Sequence, residues 1–150
     1  MRIAFRLCKS RYVASSGEGA RRFGARWNPV GVPAVYAAES RALCVLERLV
    51  HLSQLPDDEG FTRVAIPSGL TNVTVDRSEL PAGWDDPVES VFTQTLGADL
   101  MKMRKAAVLR VPSIVVPDEW CLVLNPDHAE FDRIRFGEPV PFRYDHRLRL

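Results

Sequence analysis

One amphipathic helix stands among many short strand-like runs, and this contrast limits the possible folds more than any other feature of the sequence. At about 100° per residue, residues 41–54 place their apolar side chains on one broad arc of a helix. Ser40 is a suitable N-cap for that helix. Glu47 lies at the rim of an arc that otherwise contains only apolar side chains, namely Ala42, Leu43, Val45, Leu46, Leu49, Val50 and Leu52.

The strand-like runs are short and bounded by turn residues. They cover residues 2–7, 35–38, 61–66, 73–75, 106–111, 114–116, 120–124, 133–136 and 140–144. A second helix is expected to begin at Asp86-Pro87-Val88-Glu89, where Glu89 can complete a capping box, and to run to about Met103 with Gly97 as a weak point. Helices among many short strands predict an α+β fold in which short mixed β-sheets are flanked by helices.

The chain of 150 residues is expected to form a single domain spanning residues 1–150. A chain of this size buries roughly 68–70% of its unfolded surface, enough for a core without disulfides. Residues 9–24 are polar and glycine-containing, which is typical of a loop, and Asn28-Pro29-Val30-Gly31 is typical of a turn. No repeat or linker divides the sequence.

The charge balance argues against direct nucleic-acid binding. Lys and Arg total 20, Asp and Glu total 19, and the formal net charge is +1. Basic residues do cluster in two places: Arg21, Arg22 and Arg26, and then Arg133, Arg135, Arg143, Arg147 and Arg149. We interpret the second group as a solvated tail.

The cysteines and the absence of an apolar span indicate where the protein acts. Cys8, Cys44 and Cys121 are an odd number without CxxC or zinc-type spacing, so no metal site is expected. No apolar run approaches the roughly 20 residues that cross a bilayer, and the N-terminus does not resemble a signal peptide. These features favour a cytoplasmic protein with reduced thiols.

Four residues are candidates for chemistry, although each has an ordinary structural explanation. Arg26 follows a glycine-containing basic loop that lacks both GxxxxGK[ST] and GxGxxG, and it could equally form a surface ion pair. Tyr36 could be a core aromatic residue. Glu47 could simply reach solvent, and Ser113 could satisfy a turn. Spacing alone does not decide between these readings.

Several motifs taken together resemble the RES domain family. They are Arg26-Trp27-Asn28-Pro29-Val30-Gly31-Val32-Pro33, Val35-Tyr36-Ala37-Ala38-Glu39-Ser40, Ala42-Leu43-Cys44-Val45-Leu46-Glu47, Val111-Pro112-Ser113 and Leu124-Asn125-Pro126-Asp127-His128. The Arg, Glu and Ser for which the family is named correspond to Arg26, Glu47 and Ser113. One departure is Gly24-Ala25, where many members have Gly-Gly before the Arg-Trp.

The resemblance implies the toxin of a bacterial type II toxin–antitoxin pair, with an active site similar to those of ADP-ribosyltransferases. Such toxins cleave the nicotinamide–ribose bond of NAD by hydrolysis or phosphorolysis. The antitoxin is expected to resemble an Xre-type helix-turn-helix repressor that covers the active site. DNA would then be contacted only through the antitoxin, and a higher-order toxin–antitoxin oligomer is possible on this reading.

The resemblance also implies roles for individual residues. Glu47 would stabilise the cationic ribose and hydrogen-bond its hydroxyls, and Tyr36 would lie against the nicotinamide ring. Arg26 would hold phosphate or ribose oxygens. Arg6, which points away from the apolar face of the first strand, is a second candidate for the pyrophosphate.

Three further residues are expected to contact NAD. They are Trp27, Ser113, which would hydrogen-bond the ribose or the carboxamide, and Asn125. His128 could instead be a structural cap on the turn that begins at Asn125.

Two other functions remain open at this point. The same site could transfer ADP-ribose to a protein, which would make the chain a mono-ADP-ribosyltransferase toxin. Alternatively, the chain could be an interaction module that has kept the fold without catalysis. Appearance of labelled ADP-ribose on a protein, or only as a free product, would distinguish the two enzymatic functions.

Overall fold

The computed structural model describes residues 1–88, 90–103 and 105–148. Its strands are β1 (Arg2–Lys9), β2 (Val35–Ala38), β3 (Glu59–Ile66), β4 (Asn72–Thr74), β5 (Val108–Pro112), β6 (Trp120–Leu124), β7 (Arg135–Phe136) and β8 (Val140–Pro141). Its α-helices are α1 (Glu18–Phe23), α2 (Arg41–Leu49) and α3 (Val91–Lys102). Short 3₁₀ turns cover Arg77–Glu79 and Phe131–Arg133.

All eight strands belong to one sheet. Its order is β4-β5-β6-β2-β1-β3-β7, and β8 also pairs with β3. β4 and β5 are parallel, while the other pairs are antiparallel, so the sheet is mixed. The α+β prediction is therefore confirmed, but the strands form a single sheet where several short sheets were predicted. The strands join because β2 pairs with both β1 and β6 and so links the two halves.

Helix α2 begins as predicted and ends early. The Ser40 side chain accepts a hydrogen bond from the Leu43 backbone at 3.0 Å, which confirms the N-cap. The helix ends at Leu49, not at residue 54, because the following residues bond three positions back, with Leu52 N–H donating to the Leu49 carbonyl. The predicted apolar arc is also too broad, since Leu46 and Val50 are exposed.

The structure corrects two predictions, the loop over residues 9–24 and the start of the second predicted helix. The segment 9–24 is not entirely loop, because α1 forms within it and is stabilised by an ion pair between Glu18 and Arg21. Helix α3 begins after Ser90, later than predicted, since the chain before it is held in a non-helical path. Glu89, the predicted partner in a capping box, lies outside the described residues.

Three of the predicted strands are absent or much shorter in the structure, whereas the others differ by at most two residues at either end. Residues 114–116 form no strand, because Ser113 Oγ accepts the Val116 N–H and the Glu119 N–H donates back to the Val116 carbonyl, closing a turn. The runs predicted over 133–136 and 140–144 shorten to the two-residue strands β7 and β8.

Helix α3 packs so closely on residues 25–27 that glycine is required at one position of the helix. A Cβ on Gly97 would lie 1.8 Å from the carbonyl oxygen of Trp27. Thr93 of the same helix donates to the Arg26 carbonyl at 2.7 Å, and Gln94 donates to the Ala25 carbonyl at 3.0 Å. Gly97, predicted as a weak point of the helix, thus lies on the face of α3 that fixes the position of residues 25–27.

Apolar side chains cover both faces of the sheet. Along β6, Leu122 and Leu124 enter one buried cluster while Val123 enters another, as alternation in a strand requires. A third cluster joins α2 to β1 and includes Leu7, Leu43 and Cys44. Among the described residues, no helix is long and apolar enough to span a membrane.

Candidate active site

A cavity of about 850 Å³ opens between α2, the strands β1 and β2, and the chain on either side of Trp27. This volume lies within the range of small-molecule sites, roughly 300–1,000 Å³. Of the predicted site residues, it is lined by Arg6, Arg26, Trp27, Tyr36 and Glu47. Five residues predicted separately along the sequence are therefore brought to one place.

Glu47 projects from α2 into this cavity and is half-buried. Its Oε1 accepts a hydrogen bond from Ser113 Oγ at 2.5 Å and one from Cys121 Sγ at 3.4 Å. A half-buried carboxylate interacts more strongly with a nearby charge than one in bulk water, because less solvent screens it. Glu47 is therefore placed to stabilise positive charge that develops in the cavity.

Ser113 acts on Glu47 from behind the cavity wall. It is 3% exposed and is not one of the residues that line the cavity, although its neighbours Pro112 and Ile114 do. Its hydroxyl donates to Glu47 and accepts the Val116 N–H at 3.0 Å. This placement differs from the predicted direct contact with the ribose or carboxamide.

Tyr36 joins β2 to the segment that carries Arg26. Its hydroxyl donates to Asn28 Oδ1 at 2.7 Å and accepts the Trp27 N–H at 3.0 Å, while its backbone carbonyl accepts from Arg6 Nη1 at 3.0 Å. The hydroxyl end of the ring is thus fixed by two hydrogen bonds, and the backbone of Tyr36 by a third. A ligand that contacts it meets a fixed aromatic surface.

The Asn28 side chain organises the turn below Tyr36. Asn28 is fully buried, and its amide donates to the carbonyls of Ala20 and Val32, both at 2.9 Å. In the sequence, Asn28 stands out only as part of a motif. The Asn-Pro that begins a turn was visible, but nothing in the spacing indicated that the side chain faces inward toward Tyr36.

Arg26 lines the cavity and also holds the chain that precedes α3. Its guanidinium donates to the backbone carbonyls of Trp84, Val88 and Asp86, at 3.1, 3.2 and 2.6 Å respectively. Among the described residues, the partners of Arg26 are these backbone carbonyls, and none of their carboxylates forms an ion pair with it. Arg26 thus contributes positive charge to the wall while fixing Pro87, which lines the same cavity.

Arg6 is the second cation of the wall. It has no ion-pair partner within the described part of the chain, and its buried Nε makes no hydrogen bond there. A buried N–H without an acceptor is unfavourable unless a ligand or water supplies one. Arg6 is therefore well suited to receive an anionic oxygen.

The structure places Asn125 away from the cavity, in contrast to its predicted contact with NAD. Its amide donates to the carbonyls of Met101 and Ala106, and its Oδ1 accepts the Asp127 N–H. It is 2% exposed and belongs to the turn after β6. His128 Nδ1 accepts the Glu130 N–H at 3.1 Å, in agreement with a structural role in this turn.

Trp27 is 3% exposed and packs beside Trp84 with ring centroids 6.2 Å apart, so most of its surface belongs to the core. Its contribution to the cavity wall is correspondingly small.

The cavity residues that were not predicted from the sequence include four with charged or polar groups: Lys9, Tyr12, Arg48 and His51. Lys9 pairs with Asp58 at 3.5 Å, and Arg48 pairs with the buried Glu59 at 2.7 Å. Lys9 lies in the segment read as a loop, and Arg48 and His51 lie on the polar side of the predicted helix. Their position at the cavity depends on the tertiary fold.

The cysteines near Glu47 are protonated thiols at neutral pH. Burial raises the pKa of Cys44 to about 12, and burial together with the Glu47 charge raises the pKa of Cys121 well above its ordinary value. Within the described residues, no three His, Cys, Asp or Glu side chains are grouped as metal ligands. The cavity thus offers the Glu47 carboxylate, aromatic surface, the neutral thiols of Cys44 and Cys121, and several basic side chains, namely Arg6, Lys9, Arg26, Arg48 and His51.

Comparisons with known proteins give relatives that match nearly the whole chain. The "Toxin Res" of Photorhabdus laumondii is 38% identical over 151 residues, covering 97% of this chain and 96% of that protein. The "Prs ADP-ribosylating toxin" of Sphingobium sp. is 36% identical over 137 residues, covering 89% of this chain and 85% of that protein.

A third relative is the "NAD(+) phosphorylase MbcT" of Mycobacterium tuberculosis. It is 60% identical over 35 residues, which cover 23% of this chain and 19% of that protein. The crystal structure of the M. tuberculosis MbcT-MbcA toxin–antitoxin complex superposes on this chain with a TM-score of 0.75 and 20% identity, covering 94% of this chain and 84% of the solved one. This similarity confirms the fold.

The family model described as the RES domain matches residues 2–145. This match covers the described cavity and the motifs that carried the resemblance. The chain belongs to the RES domain family.

Proposed function

We propose that this chain is the toxin of a bacterial type II toxin–antitoxin pair and that it consumes NAD by cleaving the nicotinamide–ribose bond. The observation that carries the proposal is the pairing of a held carboxylate, Glu47, with the arginines Arg6 and Arg26 in one cavity. The names of the relatives support it, since one is an NAD(+) phosphorylase and another an ADP-ribosylating toxin.

The proposed reaction requires a carboxylate to stabilise positive charge on the ribose, whereas the leaving group does not require a general acid. When the C–N bond between ribose and nicotinamide breaks, its electron pair leaves with nicotinamide, which departs as a neutral molecule. The ribose carbon acquires oxocarbenium character, as in glycoside cleavage. Glu47 stabilises this developing positive charge and accepts hydrogen bonds from ribose hydroxyls.

The acceptor completes the reaction at the same carbon. Water gives ADP-ribose and a released proton, and inorganic phosphate gives ADP-ribose carrying a phosphate on that carbon. The mycobacterial relative named a phosphorylase favours phosphate as a candidate acceptor.

Each end of NAD has a suitable surface in the cavity. Arg6 supplies its unused Nε–H and its charge to the pyrophosphate. Arg26, which also lines the cavity, supplies a second positive charge. Tyr36 offers its ring to the nicotinamide, which favours the conformation that precedes bond cleavage.

We further propose that an antitoxin covers the mouth of this cavity and blocks NAD. Tyr12 and Val50 line the cavity and are 57% and 59% exposed, so the mouth has an apolar edge that a partner can bury. From the family relationship we also propose that the partner is of the Xre type, that the two proteins form a higher-order complex, and that the chain acts in the cytoplasm.

The test is release of nicotinamide from NAD by the purified chain without its partner, with and without phosphate. We expect Glu47→Gln to lower the rate by about a hundredfold or more, because one stabilising charge is removed from the transition state. Glu138→Gln is a matched control, since Glu138 lies outside this cavity. Equal rates for wild type and Glu47→Gln would refute the assignment.

The second candidate is transfer of ADP-ribose to a protein, which the Sphingobium relative's name favours. Labelled NAD added to a bacterial lysate separates the two functions. Label on a protein band that requires Glu47 indicates transfer, whereas label only in small products indicates hydrolysis or phosphorolysis.

A further inference from the structure

The two hydrogen bonds that reach Glu47 converge on the same carboxylate oxygen. Ser113 Oγ lies 2.5 Å from Oε1 and Cys121 Sγ lies 3.4 Å from it. No hydrogen bond or ion pair from the described residues reaches Oε2. The two oxygens of Glu47 therefore have different surroundings, although both belong to one half-buried side chain.

Both donors are themselves fixed by the fold. Ser113 is 3% exposed, its hydroxyl accepts the Val116 N–H, and its own N–H donates to the Glu119 carbonyl at 2.9 Å. Cys121 lies in β6, where it pairs with Ala38 of β2 and Val111 of β5. Ser113 follows β5 and Cys121 lies in β6, so two separate parts of the sheet hold the Glu47 carboxylate and restrict its rotation.

We infer that Ser113 and Cys121 act as positioning residues that hold Glu47 through Oε1, which leaves Oε2 to accept from the ribose. This inference rests on the proposed cleavage of NAD and refines the role of Ser113, which was expected to touch the substrate. The burial of Ser113 behind Pro112 and Ile114 supports an indirect role.

A positioning residue and a substrate contact differ in which kinetic constant they change. With Ser113→Ala we expect kcat to fall about 10- to 100-fold while KM for NAD changes less than about threefold, because a preorganised charge matters most in the transition state. For Cys121→Ala the expected fall in kcat is smaller, about three- to tenfold, since a thiol is a weak donor. Loss of direct NAD contacts would instead raise KM.

Conservative variants separate hydrogen bonding from packing. Ser113→Thr and Cys121→Ser retain a hydroxyl donor, and each is expected to recover most of the kcat lost in the corresponding alanine variant. A Cys121→Ser variant as slow as Cys121→Ala would contradict the inference, because only packing would then explain the effect. Unfolding curves for all four variants identify any that fail to fold.

A second measurement does not depend on turnover. Crystal structures of Ser113→Ala and Cys121→Ala are expected to show the Glu47 carboxylate turned away from its wild-type position, or occupying more than one. If it stays in place in both, the inference is wrong whatever the substrate is. If wild type releases no nicotinamide but the carboxylate moves in the variants, the proposed function fails and the positioning role stands.

Discussion

The Tyr36 hydroxyl donates a 2.7 Å hydrogen bond to the side chain of the fully buried Asn28 and at the same time accepts the backbone N–H of Trp27. One phenol thus satisfies two groups of the turn that carries Arg26. Position 36 therefore has a structural role besides the contact with nicotinamide proposed above.

Tyr36→Phe is expected to destabilise the protein by about 1–3 kcal/mol, because Asn28 Oδ1 loses its donor and the Trp27 N–H loses its acceptor. Denaturant unfolding of the variant and of wild type measures the difference. Tyr12→Phe is the matched control, since Tyr12 is exposed. Equal stability of Tyr36→Phe and wild type would show that water replaces the hydroxyl without cost.

Gly97→Ala is expected to be more damaging than an ordinary helical substitution. The new Cβ would lie 1.8 Å from the Trp27 carbonyl oxygen, so α3 must move away from residues 25–27. We expect a loss of roughly 1–3 kcal/mol or more in the free energy of unfolding, as for an overpacked core. NAD turnover should fall with it.

Gly19→Ala provides the comparison for that experiment. Gly19 lies in α1, and a Cβ there has no atom within 4 Å. Since alanine favours helix over glycine, the variant should be unchanged or more stable by up to about 1 kcal/mol. Equal losses in both variants would argue against a specific contact at Gly97.

Arg26→Ala is expected to release the segment 84–88. Three backbone carbonyls lose their donor, so hydrogen exchange in this segment should become faster than in wild type. Mass spectrometry of exchanged peptides measures this effect. The control Arg22→Ala removes an exposed arginine from α1 and should leave hydrogen exchange in the segment 84–88 unchanged. If exchange is also unchanged in Arg26→Ala, the three contacts do not hold the segment.

Tyr144→Phe is expected to lower stability at neutral pH by about 1–3 kcal/mol, because the buried Glu59 loses the 2.6 Å hydrogen bond from the Tyr144 hydroxyl. In wild type, burial and the Glu59 carboxylate raise the pKa of Tyr144 above its ordinary value of 10.0.

The raised pKa gives this pair a distinct pH dependence. Above about pH 10 the unfolded chain loses the tyrosine proton while the folded chain keeps it, so stability falls as pH rises. That component of the alkaline decline should be absent in Tyr144→Phe. Urea unfolding at a series of pH values from 7 upward checks the prediction, and parallel declines in both proteins would contradict it.

The sequence predicted the elements whose signals are local. The helix beginning at Ser40 and the strands at Val35–Ala38 and Trp120–Leu124 were confirmed, because a cap residue or a compact apolar run marks each of them. Helix α1 was missed since it is short and contains glycine, and it is supported by contacts with distant chain, such as Gly17 close to Ala34 and Pro126.

The site was predictable to a similar extent. The family motifs indicated Arg26, Tyr36 and Glu47, the alternation of the first strand indicated Arg6, and all four line one cavity. The motifs did not indicate the direction in which a side chain points. Asn125 and Ser113 were therefore expected at the substrate, although Asn125 supports a turn and Ser113 lies behind Glu47. The direction of a side chain relative to the cavity depends on which strands pair with each other, and the local sequence pattern carries no information about that pairing.

The sheet ends on one side at the three-residue strand β4 and on the other at the two-residue strands β7 and β8, which both pair with β3. Borders this short offer few unpaired backbone groups to an added strand. A protein that silences this chain is therefore expected to recognise side chains around the cavity mouth and not to extend the sheet, so its specificity can change through surface substitutions while the toxin's strand pairing stays the same.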